Sequence, residues 1–178
     1  MIQTLCNIGN EHHIDTFYKV AIFEASQLPY FTFLSSDDTV LDILTNIPDT
    51  SQVLITDLLP NNIKVGHAPK FSGQGKLHTT SISFTITPQD KNLQQLLETY
   101  NNKEVVILVS KHNTTHLYGT SAQPLVFKYA EANSPEPGAI KGYSISMNGD
   151  NYGSSKLYEY IEFNIYSRGL AFELAQEI

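Results

Sequence analysis

Histidine is the residue type in this chain with the clearest capacity for chemistry, because imidazole binds metals and exchanges protons near neutral pH. The chain holds six histidines in 178 residues. His112 and His116 lie four positions apart, but the intervening Asn-Thr-Thr favours a turn over the helix that would bring both imidazoles to one face. No HExxH motif and no Cys–His zinc spacing is present. The pattern predicts solvated turn histidines, at His12-His13 as well, and no metal site.

Three other patterns that could support catalysis or phosphate binding are incomplete. Gly73-Gln74-Gly75-Lys76 lacks the earlier glycine of a phosphate-binding loop, since Lys70 stands there, and Leu77 follows in place of Ser or Thr. Cys6, the single cysteine, has no recognisable His and Asp context, so we expect an inert, at least partly buried thiol. No Gly-x-Ser-x-Gly motif marks a serine as a nucleophile. We predict no catalytic residue, no cofactor-binding residue and no cofactor, hence a protein that is not an enzyme.

The elements that would position any site are clearest in the middle of the chain. Lys76–Thr87 alternates apolar and polar residues with a period of two, which predicts a strand with one face in the core. A helix is predicted directly after it, at about 88–101, with Pro88 at its first position and Asn101-Asn102 at its end. Its apolar stripe recurs at helical spacing and consists of Leu93, Leu96, Leu97 and Tyr100.

Further strands are predicted on both sides of this helix. After it, strands are expected at Val105–Val109, at His116–Tyr118, from Leu125, and around Tyr143–Met147, followed by a last one at Leu157–Tyr166. Before it, Tyr18–Phe23 and Tyr30–Leu34 resemble paired strands, Gln52–Leu59 another, and Asp38–Asn46 a short helix.

The stretch GHAPKFSGQG, residues 66–75, has little periodicity and holds three glycines and a proline. We predict an exposed loop or arm at about 60–76. Together the elements predict one domain over residues 1–178 of mainly β (α+β) class. Its expected architecture is an antiparallel β-sandwich or barrel with one flanking α-helix.

Composition narrows the classes of partner. The formal net charge is −7, without an evident basic face, so gripping of nucleic acid is not expected. The first residues lack the basic and apolar regions of a signal peptide, and no apolar run is long enough to cross a bilayer, which predicts no membrane association. Only 16% of residues are charged, so much of the surface is neutral and polar and cheaper to desolvate. These features favour a cytoplasmic protein that contacts other proteins.

The order of features from Leu93 to Gly149 resembles a known family. The segments LQQLLE, EVVILVSKHNTTHLYGTSAQPLVFKY and KGYSISMNGD, with a Pro/Gly-rich loop before the last, are similar to tail-tube and neck-ring (head–tail connector) virion proteins of tailed bacteriophages, particularly those infecting Bacteroidota. The likeness covers about a third of the chain. It implies a structural subunit that is made in the host bacterial cytoplasm and built into the virion. The partners implied are further copies of itself in a cyclic homo-oligomer and other virion proteins, with DNA only as non-specific cargo through a channel.

Six residues are the candidate oligomer interface. Pro69, Phe71 and Gly73 lie in the predicted arm, which would bridge neighbouring subunits. Tyr158, Tyr160 and Tyr166 share the face of the last strand opposite Leu157, Ile161, Phe163 and Ile165. That tyrosine face could contact a partner, since Tyr is enriched at interfaces, or could lie between two layers of one core. Stacking of sugars on it would instead make the protein a carbohydrate-binding or adhesin-type β-sandwich module.

Overall fold

The structure is a computed structural model that describes residues 19–45, 53–57, 62–73, 75–87, 91–111, 114–132 and 142–159. Two α-helices lie in these ranges, α1 at Asp37–Thr45 and α2 at Lys91–Tyr100. The strands in the described ranges are β1 (Lys19–Glu24), β2 (Val53–Asp57), β3 (Lys64–Ser72), β4 (Gly75–Ile86), β5 (Glu104–Ser110), β6 (Thr114–Tyr118), β7 (Leu125–Ala132), β8 (Gly142–Asn151) and β9 (Lys156–Glu159).

All nine strands belong to one antiparallel sheet that forks at β5. The main order is β2-β1-β5-β7-β8-β4-β3, and β6 pairs with both β5 and β9. β5 pairs with β7 only through Glu104 and Val105, whereas Ile107 to Ser110 pair with β6. The sheet therefore divides into a first wing, β2-β1-β5-β6-β9, and a second wing, β7-β8-β4-β3.

The two wings enclose a common apolar core. Val20, Ile22 and Ile107 of the first wing share one buried cluster with Phe84 and Ile145 of the second wing. Side chains of facing sheet layers interdigitate in this way in a β-sandwich. The predicted mainly-β class with a flanking helix is confirmed, and over the described residues the sheet is open and not a closed barrel.

β5 is buried on both of its faces, which explains its uninterrupted apolar sequence. Val105, Ile107 and Val109 face the first core, while Val106 and Leu108 face a second cluster on the other side of the sheet. The second core is covered by helix α1 and by the segment before it. Its other buried members are Ala21, Phe23, Ala25, Leu28, Phe31, Phe33, Val40, Leu44 and Leu117.

Helix α2 seals one end of the first core, as its apolar stripe predicts. Leu93, Leu97 and Tyr100 are buried there. Asn102 has a φ of 61°, a conformation that asparagine tolerates after a helix end, and its N–H donates to the Phe127 carbonyl oxygen at 2.8 Å. This bond fixes where the chain turns from the helix into β5. Pro88, the predicted first position of the helix, lies outside the described residues.

The predicted arm at 60–76 is wrong over the part of it that the structure describes from Lys64 onwards. Lys64–Ser72 is a regular strand that pairs with β4 along its whole length, from Lys64 opposite Ser83 to Ser72 opposite Gly75. The sequence of β3 shows no period-two alternation because β3 is the edge strand of its wing, and both faces of its outer half are exposed. Without burial, selection for alternating apolar residues is absent as well. Proline is tolerated at such an edge, as at Pro69.

Two further strand predictions are corrected. Tyr30–Leu34 is not a strand, and β1 pairs instead with β2 and β5. The last predicted strand is described as β9, Lys156–Glu159, with its faces reversed: Leu157 is 59% exposed, whereas Tyr158 packs against the second core. β9 pairs with β6, so Tyr158 lies opposite the buried Thr115. The rest of that prediction, including Ile161, Phe163 and Ile165, lies outside the described residues.

Helix α2 offers a direct test of the first core. Leu97 is fully buried on the core side of α2, and Gln95 is exposed on the same helix. We expect Leu97→Ala to lower the free energy of unfolding by about 2–5 kcal/mol, because it removes buried methyl groups and leaves a cavity. Gln95→Ala is the matched control and should change the stability by less than about 0.5 kcal/mol. Urea unfolding followed by circular dichroism measures both. Equal, small effects of the two substitutions would contradict the described packing of α2.

Candidate functional site

The β3–β4 hairpin brings together three of the six predicted interface residues. Pro69 and Phe71 lie in β3 and Gly73 lies at the turn. All three are exposed, and Phe71 is 81% exposed. A phenylalanine so far from the core has no packing role in the described part of this chain. We define the hairpin tip as residues 69–73, 75 and 76.

The tyrosines predicted for the same interface lie elsewhere. Tyr158 is half-buried in β9 of the first wing, where it packs against the second core. The alternative left open by the sequence, a tyrosine within the layers of the core, therefore describes Tyr158 better than a contact surface does. Tyr160 and Tyr166 lie outside the described residues.

Positive charge is concentrated on the same hairpin. Lys64, Lys70 and Lys76 are all exposed on its two strands. The sequence between Asp57 and Asp90 contains no acidic residue, although the whole chain carries a formal net charge of −7. These lysines are separated in sequence, and only the antiparallel pairing of β3 with β4 makes them one basic element. The hairpin thus differs in charge from the rest of the protein.

At the base of the hairpin, three histidines and a tyrosine form a chain of ring contacts, which we call the imidazole stack. His67 and His78 are stacked with ring centroids 5.1 Å apart. Tyr118 of β6 meets His67 edge-on at 5.8 Å and stacks on His116 at 6.0 Å. The stack therefore joins the second wing to the first at the end of the core away from α2. No sequence pattern indicated this stack, because it is the pairing of β3 with β4 that brings His67 and His78 together.

Hydrogen bonds fix the tautomer of His67. The Ser155 N–H donates to its Nε2 at 3.2 Å, so this nitrogen is the acceptor and the ring proton resides on Nδ1. Nδ1 then donates to the Thr80 Oγ1 at 2.8 Å. Thr80 lies directly opposite His67 in the β3–β4 register. The imidazole consequently ties the 152–155 loop, between β8 and β9, to the hairpin.

The environment of the stack favours uncharged groups. Burial lowers the pKa of the His67 imidazole, and the neighbouring His78 lowers it further. Burial also raises the pKa of Tyr118 to about 12. Both rings are therefore neutral at physiological pH, and neither offers an activated nucleophile. The stack can therefore hold the loop and respond to acid.

The described residues also bear on the sequence predictions of chemistry. Among them, no group of three or more His, Cys, Asp and Glu side chains is placed to hold a metal ion. Gly75 and Lys76 of the incomplete phosphate-loop pattern begin strand β4. A phosphate-binding loop leads instead into the N-terminus of a helix. His112 and Cys6 lie outside the described residues. No helix within the described ranges is long and apolar enough to cross a membrane.

No known family, no curated protein and no solved structure matches this chain. The similarity to tail-tube and neck-ring proteins thus remains a matter of sequence pattern, and the role that it implies is taken up below as a proposal.

The His67 bonds predict a pH-dependent stability. The folded chain disfavours the charged imidazole, while the unfolded chain protonates it near its ordinary pKa of 6.5. Below that pH the unfolded state binds more protons, so the free energy of unfolding should fall as the pH is lowered from about 7.5 to 5. We expect His67→Gln, which cannot titrate there, to flatten this dependence. Urea unfolding at a series of pH values measures both slopes.

The comparison of slopes separates His67 from other groups that titrate in the same range, because those groups are unchanged in the variant. His67→Gln is expected to lower the stability at pH 7.5 as well, through loss of the stacked ring. Parallel pH profiles of wild type and variant would contradict a depressed pKa of His67.

Proposed function

We propose that this protein is a non-catalytic structural subunit that assembles with copies of itself through the hairpin tip. The observation that carries the proposal is an exposed hairpin that presents Phe71 and three lysines on an otherwise acidic chain. The tip combines an apolar anchor with charge of the sign opposite to the rest of the protein. Such a surface is suited to insertion into a neighbouring acidic surface.

The charge distribution favours a head-to-tail contact over a symmetric one. A two-fold interface would place basic hairpins beside each other, and like charges would repel. A heterologous contact instead places the hairpin of one copy against a different surface of the next. Asp38 and Asp42 on α1 are exposed acidic groups of the kind that would receive it. Heterologous contacts close into rings or extend into tubes.

The contact is expected to use side chains of the tip more than the backbone of the β3 edge. A sheet edge presents unpaired backbone groups, and proteins guard such edges with lysine and proline. β3 carries Lys64, Pro69 and Lys70, all of them exposed. Burying Phe71 on association would contribute about 2–3 kcal/mol. Specificity then comes from the aromatic side chain and the surrounding lysines.

The resemblance of the sequence to tail-tube and neck-ring proteins suggests in which particle such an assembly would form. In that setting the subunit would form a ring or tube in the neck or tail of a tailed-phage particle, in contact with other virion proteins, with DNA passing through. The net charge of −7 supports this, because an acidic channel wall repels phosphates and lets DNA slide without binding.

Sedimentation velocity and negative-stain imaging of the purified protein test the assembly. Wild type is expected to form closed rings or short tubes. Phe71→Ser and the double charge reversal Lys70→Glu/Lys76→Glu should each shift it towards monomers, Phe71→Ser weakening self-association about 30-fold or more. Leu34→Ser is the matched control, since Leu34 is 97% exposed and lies outside the hairpin. It should leave the oligomer intact.

Each variant replaces an exposed side chain, so thermal unfolding of the monomer should be nearly unchanged, which separates loss of assembly from loss of folding. A wild type that stays monomeric at high concentration, or a Leu34→Ser variant that dissociates as readily as Phe71→Ser, would refute self-assembly through the tip.

A second function, a carbohydrate-binding or adhesin-type module, is favoured by a different surface. Tyr30 is 79% exposed and Tyr152 is 61% exposed. The Phe31 N–H donates to the Ser121 Oγ at 2.6 Å, and the Tyr152 N–H donates to the Gln123 Oε1 at 2.8 Å. These bonds hold both tyrosines on loops anchored to the 121–123 segment. Exposed aromatic rings on anchored loops suit stacking against sugar rings.

A glycan array followed by calorimetry tests the module. If sugar binding is the function, wild type should bind a defined glycan, and Tyr30→Ala or Tyr152→Ala should abolish the binding while Phe71→Ser leaves it unchanged. Absence of any glycan signal, or a signal that survives both tyrosine substitutions, counts against this second function.

A further inference from the structure

Three buried polar atoms beside the imidazole stack have no hydrogen-bond partner among the residues that the structure describes. They are the Nδ2 and Oδ1 of Asn151 and the Nδ1 of His78. Asn151 is 0% exposed, so bulk solvent does not reach its amide. Native proteins rarely leave buried polar atoms unpaired, and a whole side-chain amide without a partner is rarer than a single atom. The usual explanation for such atoms is a bound molecule, such as a water, that pairs with them.

The strand register places the two side chains that carry these atoms next to each other. Asn151 and His78 are directly opposite in the β4–β8 pairing. Side chains of directly opposite residues leave the same face of the sheet, with Cβ atoms about 4.5–5.5 Å apart. One small molecule between them can therefore reach both side chains.

The surrounding groups are already engaged. His67 stacks on His78, but its two nitrogens bond to Thr80 and Ser155. The chain that leaves Asn151 returns to this stack at Ser155, so the 152–155 loop starts and ends beside the orphaned atoms. The strand pairing and the Ser155 bond to His67 therefore place both the β4–β8 pair and the 152–155 loop beside the imidazole stack.

We propose that Asn151 and His78 form an internal binding site for a small neutral molecule that both donates and accepts hydrogen bonds, and that water occupies it in solution. The Asn151 amide supplies donors and an acceptor, and the His78 Nδ1 supplies a third point of attachment. About three hydrogen bonds is what a buried water makes. A metal ion would find too few ligands here, and an anion would face the amide oxygen.

An occupied and an empty site predict opposite effects of removing the amide. If the site is empty, the amide is an uncompensated buried group, and an apolar residue of similar size should stabilise the protein. If water is bound, the same substitution removes its anchor and leaves both the water and the His78 nitrogen short of partners. The sign of the stability change therefore reports on the occupancy.

Thermal unfolding of Asn151→Leu gives that sign. We expect its Tm to fall by roughly 3 to 8 °C relative to wild type. Asn148→Leu is the matched control, because Asn148 lies on the same strand with its side chain exposed. Its Tm should change by no more than about 2 °C. A higher Tm for Asn151→Leu would overturn the proposal.

Magnetic relaxation dispersion of water oxygen-17 detects the occupant itself, when wild type and folded variants are compared. Wild type should hold at least one more long-lived internal water than Asn151→Leu or the smaller Asn151→Ala. A crystal structure of wild type at about 1.2 Å resolution should show a water within hydrogen-bond distance of Asn151 and His78. No density there, with no long-lived water lost in either variant, refutes the site. These readouts do not depend on whether the protein assembles.

Discussion

The structure depends on the burial of both faces of β1 and β5. Their side chains alternate between a core shared by the two wings and a second core covered by α1, and every residue of β5 from Val105 to Ser110 is buried. A strand in this position must be apolar on both faces, which leaves little freedom in its sequence. The ion pair of Lys103 with Glu24, 2.7 Å long, joins the start of β5 to the end of β1. Both cores form around this pair of strands.

The surface proposed for assembly lies where this burial ends. Along β4, the residues facing the first core change from Phe84 and Ile82 to Thr80 and His78, and the strand then runs into the exposed hairpin. Apolar packing thus gives way to a buried polar layer and then to solvent. The hairpin is anchored by the polar layer but contributes little to the core, so its tip can carry an exposed Phe71 and lysines at little cost in stability. Packing of the described core therefore does not account for the exposed Phe71 of the tip.

The polar layer itself links the two wings. His67 and His78 belong to the second wing and Tyr118 and His116 to the first, and their contacts meet beside the loop that leads into β9. The uncharged His67 imidazole is satisfied there by its two hydrogen bonds, whereas protonation would set its Nε2 against the Ser155 N–H. The proposed assembly surface at the hairpin tip and the predicted acid sensitivity at its base thus involve adjacent residues on the same two strands.

The sequence by itself determined the elements whose burial is one-sided or complete. Period-two alternation located β4, β7 and β8, a helical stripe located α2, and an apolar run located β5, because in each the core imposes a pattern on the residues. The pattern also marked Pro69, Phe71 and Gly73 as exposed. Tertiary structure alone decided the rest. β3 escaped prediction because an edge strand buries too little to show a period, and Tyr158 turned inward because pairing with β6 sets its face. The imidazole stack and the basic hairpin arise from strand register, which joins residues that the sequence keeps apart.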